Sequence, residues 1–145
     1  MGSIMYNKMK ELFVKKQLGW DDPSAVVKVL LVGPGYVPDP DHVFLSDINL
    51  ATNEVSGNGY TRKTLSGRVV NLSSIDDCIY GDANDITWNG LNCGTVAGAI
   101  VYLQVGGDDT TPGDDIILLY QDNADISTNG GDITLQWATN GLFKI

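Results

Sequence analysis

Thr95–Gln121 reads TVAGAIVYLQVGGDDTTPGDDIILLYQ, and the fold class turns on it. Its first part, Thr95–Val105, alternates along an extended chain. Ala97, Ala99, Val101, Leu103 and Val105 share one side, while Gly98, Ile100, Tyr102 and Gln104 share the other. Its last part, Ile116–Tyr120, is apolar on both sides, the signature of a strand buried between layers. Gly106–Asp115 between them is turn and breaker chemistry, so the stretch predicts two antiparallel central strands joined by an exposed loop. Neither apolar run approaches the roughly 20 residues of a membrane-spanning helix.

Outward from this pair, short strands are predicted at Val26–Val32, through Arg68-Val69-Val70 up to Leu72, at Cys78–Tyr80, at Ile86–Trp88 and within Asp132–Trp137, with Leu142–Ile145 closing the chain. Ile86 and Trp88 alternate inward around Thr87, as do Ile133, Leu135 and Trp137 around Thr134 and Gln136. Val43–Ile48 suggests a turn of helix, and Asn53–Tyr60 a polar, Gly-rich loop. At the start, residues 4–18 carry Met5, Met9, Leu12 and Phe13 at helical spacing with lysines opposite; Ser3 is placed to cap that helix and Gly19 to end it. The expected architecture is all-β, an antiparallel β-sandwich at 20–145 preceded by one N-terminal α-helical arm at 1–19.

Composition supports a turn-rich β fold. Of 18 acids, all but Glu11 and Glu54 are Asp, a turn residue where Glu is a helix former, and there are 17 glycines. The net charge of −9 argues against a nucleic-acid binder working through a basic surface. It is unevenly spread: residues 1–20 hold four lysines against Glu11, a net +3, while the rest holds seventeen acids against five bases. A basic arm on an acidic body suits docking on an acidic protein or a second copy; the plain alternative is a solvated helix face. The candidate interface is therefore Met5, Tyr6, Lys8, Met9, Leu12, Phe13, Lys15, Lys16 and Trp20, whose apolar members either face a partner or pack on their own chain.

Little in the chain points to catalysis. The one histidine, His42, lies in a Pro-rich loop, and the adjacent pairs Asp21/Asp22, Asp76/Asp77, Asp108/Asp109 and Asp114/Asp115 are the diverging or solvated acids of strands and turns. Oxygen-rich loops at Asp82–Asp85, Asp108–Asp115 and Asp122–Asp125 raise calcium, but none has the EF-hand pattern and no metal site is assigned. Cys78 and Cys93 lack CxxC spacing and are expected as free thiols. Gly33-Pro34-Gly35 lacks the rest of a nucleotide-binding loop, so no cofactor is assigned. The polar N-terminus does not resemble a signal peptide, which implies folding in a cytoplasm.

Three segments in order carry a resemblance. Tyr36, Pro38, Asp39, Asp41, His42, Phe44, Ser46 and Asp47 fit Y-x-P-D-x-D-H-x-F-x-S-D. Asn53, Glu54, Val55, Gly57, Gly59 and Tyr60 fit N-E-V-x-G-x-G-Y. Asp85, Thr87 and Trp88 fit D-D-x-T-W, with Asn84 in place of its first acid. With the leading YNKMKEL and the closing STNGGDITLQWATNGLFKI, the chain resembles, nearly end to end, small virion structural proteins of tailed bacteriophages and prophages. The region around Cys93 and the Gly106–Asp115 loop departs from that pattern. The resemblance implies a non-enzymatic particle component, made in the host bacterial cytoplasm. The first expectation is a capsid decoration or cement protein on the head surface, bound to the major capsid protein as a homo-oligomer such as a trimer. The second is a tail or neck component. A different class, a carbohydrate-binding module, would need two of Trp20, Trp88 and Trp137 exposed and coplanar.

Overall fold

Strands β7 (Thr95–Leu103) and β8 (Ile116–Ser127) form the centre of the computed structural model, which describes residues 3–107 and 111–145. In chain order the other elements are β1 (Ile4–Met5), α1 (Asn7–Val14), β2 (Val27–Val32), a 3-10 turn (Leu45–Asp47), α2 (Leu50–Asn53), β3 (Lys63–Thr64), β4 (Val69–Ser73), β5 (Cys78–Asp82), β6 (Ile86–Trp88), β9 (Ile133–Leu135) and β10 (Phe143–Lys144). A five-stranded antiparallel sheet runs β1-β8-β7-β2-β3, beside a three-stranded sheet β10-β5-β4 and the pair β6-β9. The fold is all-β, antiparallel and sandwich-like, with one short N-terminal helix.

Both faces of the main sheet are buried, which is why Val29–Val32 of β2 and Ile116–Tyr120 of β8 read as continuous apolar runs. One face presents Val27, Val29, Leu31, Ala99 and Val101 to Trp88 and Leu135 of the β6-β9 pair and to Met9 and Leu12 of α1. The other presents Leu30, Val32, Ile100, Tyr102, Ile117 and Tyr120 to Tyr6, Tyr36, Leu45 and Ile48. That second cover is the Pro-containing connection after β2, so irregular chain closes this face where a sheet would in a plain sandwich.

Strict alternation fails at one place for a physical reason. Val101 pairs with Leu119 but Tyr102 pairs with Ile117, so Leu118 is an extra residue in β8. This bulge turns Leu118 and Leu119 to the same face, while Ile117 and Tyr120 stay on the other. A second register shift between Val96 and Gly98 lets Val96 share the Ala99 face.

The N-terminal segment differs most from expectation. Ile4 and Met5 are not helical; they pair with Tyr120 and Leu119, and Tyr6 N–H continues to the Leu118 carbonyl at 2.9 Å. Ser3 does not cap the helix; its Oγ accepts from Asp122 N–H at 2.9 Å. The helix ends at Val14, five residues before Gly19. Lys16 takes the left-handed conformation (φ 58°), Lys16 N–H reaches the Phe13 carbonyl and Gln17 N–H reaches Leu12, which together make a Schellman cap. The described part of the expected arm is thus an edge strand and two turns of helix built into the core.

Further along, β8 continues to Ser127, so Asp122-Asn123-Ala124-Asp125, read as a loop, is strand paired through Asp122 to Gly98 and through Ile126 to Val96. The 106–115 loop is described only in part, and its Asp108, Asp109 and Thr110 lie outside the described residues.

Candidate interaction surface

The nine residues expected at a partner interface divide sharply. Tyr6, Met9, Leu12 and Trp20 are buried in their own chain, which corrects their assignment as partner contacts. Met9 and Leu12 form the one apolar face of the short helix, which the main sheet consumes; Tyr6, just before the helix, packs on the other face of that sheet, and Trp20, beyond it, packs against Phe143. Met5, Lys8 and Phe13 are half-buried, while Lys15 and Lys16 are exposed. Glu11 holds two of the lysines, with Lys8 at 2.6 Å and Lys15 at 3.5 Å, and those contacts keep its carboxyl below the usual range.

What sequence reasoning missed lies next to the helix, on the three-stranded sheet. Val70 pairs with Gly81 and Gly81 with Phe143; Leu72 pairs with Ile79, and the Ile79 and Ile145 backbones exchange hydrogen bonds at 2.9 Å. Residues directly opposite share a face, so Val70, Leu72, Ile79, Phe143 and Ile145 make one apolar surface. Gly81 is required in it: an added Cβ would lie 2.2 Å from the Phe143 ring. That ring also meets Trp20 edge-on at 4.9 Å and Phe13 at 5.5 Å, which anchors the inner half of the sheet to the core.

The outer half is left to solvent. Leu72 is 85% exposed, Ile75 in the turn beyond it 94%, and Val14 at the helix end 83%; Ile145 is exposed as well. β4 is also an edge, pairing only with β5 among the described residues. It carries no proline, lysine or inward charge of the kind that protects edges. Phe13 and Trp20, two of the expected interface residues, line the inner end of this face, where it forms a groove with Val70, Ile79 and Ile145. The one local signal for it is Ile75, an apolar residue between Ser73-Ser74 and Asp76-Asp77 where a turn asks for polar ones.

Other candidate chemistry disperses. His42 Nε2 sits 3.9 Å from Asp39 Oδ2. Asp22 accepts from the Ser24 backbone and hydroxyl, the Asp76 carboxylate from the Ser73 and Tyr80 hydroxyls, Asp82 from Ala83 N–H, and Asp85 from Trp137 N–H. Asp115 is buried and accepts from Val105 N–H at 2.9 Å. Among the described residues no three His, Cys, Asp or Glu side chains gather as a metal site. Cys78 and Cys93 are half-buried and not bonded to each other. All three tryptophans are buried, and each indole N–H donates to a backbone carbonyl: Trp20 to Asp82, Trp88 to Thr61 and Trp137 to Asn84. The stacking platform a sugar site would need is therefore not formed by them.

The segments that carry the sequence resemblance do structural work. Asp47 Oδ2 accepts from Val43 and Phe44 N–H, both at 2.9 Å, which closes the 3-10 turn and holds its carboxyl below the usual range. Asp41 accepts from the Asn7 side chain at 2.7 Å, the Pro40 carbonyl from Asn7 N–H, and the Tyr36 hydroxyl bonds that of Tyr6. These contacts bind the connection after β2 to the start of α1. In the second segment, Gly59 has φ 78° and its missing Cβ would lie 2.4 Å from the Gly90 carbonyl oxygen. Only glycine lets that turn approach so closely.

No protein-family model, no curated protein and no solved structure matches the chain. Among the described residues no helix is long and apolar enough to cross a membrane.

Proposed function

We propose that this chain is a non-enzymatic structural component of a bacteriophage particle, a decoration or cement protein seated on the head lattice against the major capsid protein. The reading starts from the three-segment resemblance. The observation that carries it further is the exposed apolar face of β4, β5 and β10, where Val70, Leu72, Ile79 and Ile145 lie side by side in reach of solvent. Burying a side chain such as Leu72 against a repeated protein surface stabilises the contact by about 1.5–3 kcal/mol. The acidic body and lysine-bearing helix then favour one orientation on the shell.

A tail or neck position is the second reading. Copy number separates the two. Quantitative mass spectrometry of purified virions against the major capsid protein gives hundreds of copies for a head protein, and six, twelve or a few dozen for a tail or neck protein. Absence from the particle sinks both.

A further inference from the structure

The hairpin tip and the groove beside the helix are complementary to each other, and within one chain they do not meet. The tip is Ile75 followed by Asp76 and Asp77. Ile75 is almost wholly exposed, so it does not fold back onto its own molecule. The groove lies between α1 and β10, with Met5, Phe13, Val14 and Ile145 as its apolar floor and Lys10 and Lys144 beside them. Among the described residues neither lysine has a carboxylate partner, and Lys10 Nζ has only the Asn7 side-chain oxygen at 3.4 Å. Asp77, held at φ 55° in the turn, is in the same position with respect to cations.

Charge decides where an acidic tip can dock. Beyond residue 20 the chain holds seventeen acids against five bases, so most of its surface repels Asp76 and Asp77. The groove is where Lys10 of α1 and Lys144 of β10 come together on one apolar surface. A surface that attracts the tip by charge and receives Ile75 on apolar side chains is therefore present on every copy of the chain.

We propose that this protein self-associates head to tail, the Ile75–Asp77 tip of one copy seated in the Met5/Phe13/Val14/Ile145 groove of the next. Donor and acceptor surfaces differ, so the contact is heterologous and generates a ring where the rotation closes. It is independent of the virion reading, because it is tested on purified protein without capsids.

Sedimentation velocity of the full chain is the test, with Ile75→Asp (tip lost, groove intact) and Val14→Asp (groove lost, tip intact). Both side chains are exposed, so both variants keep the native circular-dichroism spectrum. The wild-type protein is expected to run above its 15.6 kDa chain mass, and more so at low salt. Each variant alone is expected to lose that association and run as one chain. An equimolar mixture of the two is expected to recover a two-chain species and nothing larger, since one intact tip and one intact groove remain. A wild-type protein that stays a single chain up to its solubility limit overturns the proposal. So does a mixture that stays monomeric, or an oligomer that survives either substitution, survival of Val14→Asp pointing instead to symmetric pairing of β4 edges.

Discussion

Arg62 grips Glu54 with two parallel hydrogen bonds, Nε to Oε1 and Nη2 to Oε2, both 2.8 Å. Tyr60 OH donates to the same Oε1 at 2.6 Å, and the Arg62 guanidinium lies 5.5 Å from the centre of the Tyr102 ring on β7. The hydrogen bond to Glu54 pushes the arginine still further from losing its proton, and burial raises the Tyr60 hydroxyl. The group pins the Gly-rich turn to the main sheet.

Removing one partner of such a pair leaves the other charged and mostly out of water. Glu54→Ala is expected to lower stability by about 3 kcal/mol, the lower end of the range for a buried pair, because both side chains keep some solvent contact. Urea unfolding of Glu54→Ala, Arg62→Ala and the double variant measures this. The double variant should cost clearly less than the two singles together, and strict additivity would mean that the pair contributes no coupling.

The N-terminal segment is expected to be indispensable to folding. Tyr6, Met9 and Leu12 are buried in the two core clusters, and the Tyr6 hydroxyl bonds Tyr36. A chain lacking residues 1–18 loses the edge strand beside β8 and a large part of the cover on both faces of the main sheet. It should show no cooperative thermal transition. Met9→Ala in the full chain should cost about 2–5 kcal/mol, the usual penalty for a large-to-small change in a packed core. A truncated protein that melts cooperatively near the full-length temperature would overturn this and restore the separable arm.

Much of the fold is legible in the sequence, and the misses share a cause. The alternation at Ile86–Trp88 and Ile133–Trp137 places its inward residues correctly because a half-buried strand writes its period locally. β8 hides its bulge, since Leu118 and Leu119 are both apolar and nothing local says they face the same way. The Asp122–Asp125 stretch has loop composition, yet pairing with the long β7 holds it in the sheet, an instance of tertiary context overriding propensity. Ile4–Met5 looks helical because its strand partner lies more than a hundred residues away. The apolar face of β4, β5 and β10 draws Val70 and Leu72, Ile79, and Ile145 from three separate segments. Only the non-local register brings them together.

Acid should weaken the fold, and Asp47 is where the effect can be isolated. Backbone N–H groups of Phe44 and Val43 favour its charged form and keep its native pKa below the ordinary carboxylate value of about 3.9. Glu11, held by Lys8 and Lys15, and Asp22, held by Ser24, shift the same way. With native values depressed, the unfolded chain binds more protons than the folded one in the acid range. The stabilisation is therefore complete above the unfolded-state values near pH 4 and is lost as pH falls through the native ones. At Asp47 the loss has a structural outlet, because the turn it closes carries Leu45 and Ile48 into the cluster around Tyr36 and Tyr120. Asp47→Asn keeps an acceptor oxygen but cannot titrate. The variant is expected to be less stable than wild type at pH 7 and to lose less stability between pH 5 and pH 3. Urea midpoints across that range measure both, and an unchanged acid slope would assign the effect to other carboxylates.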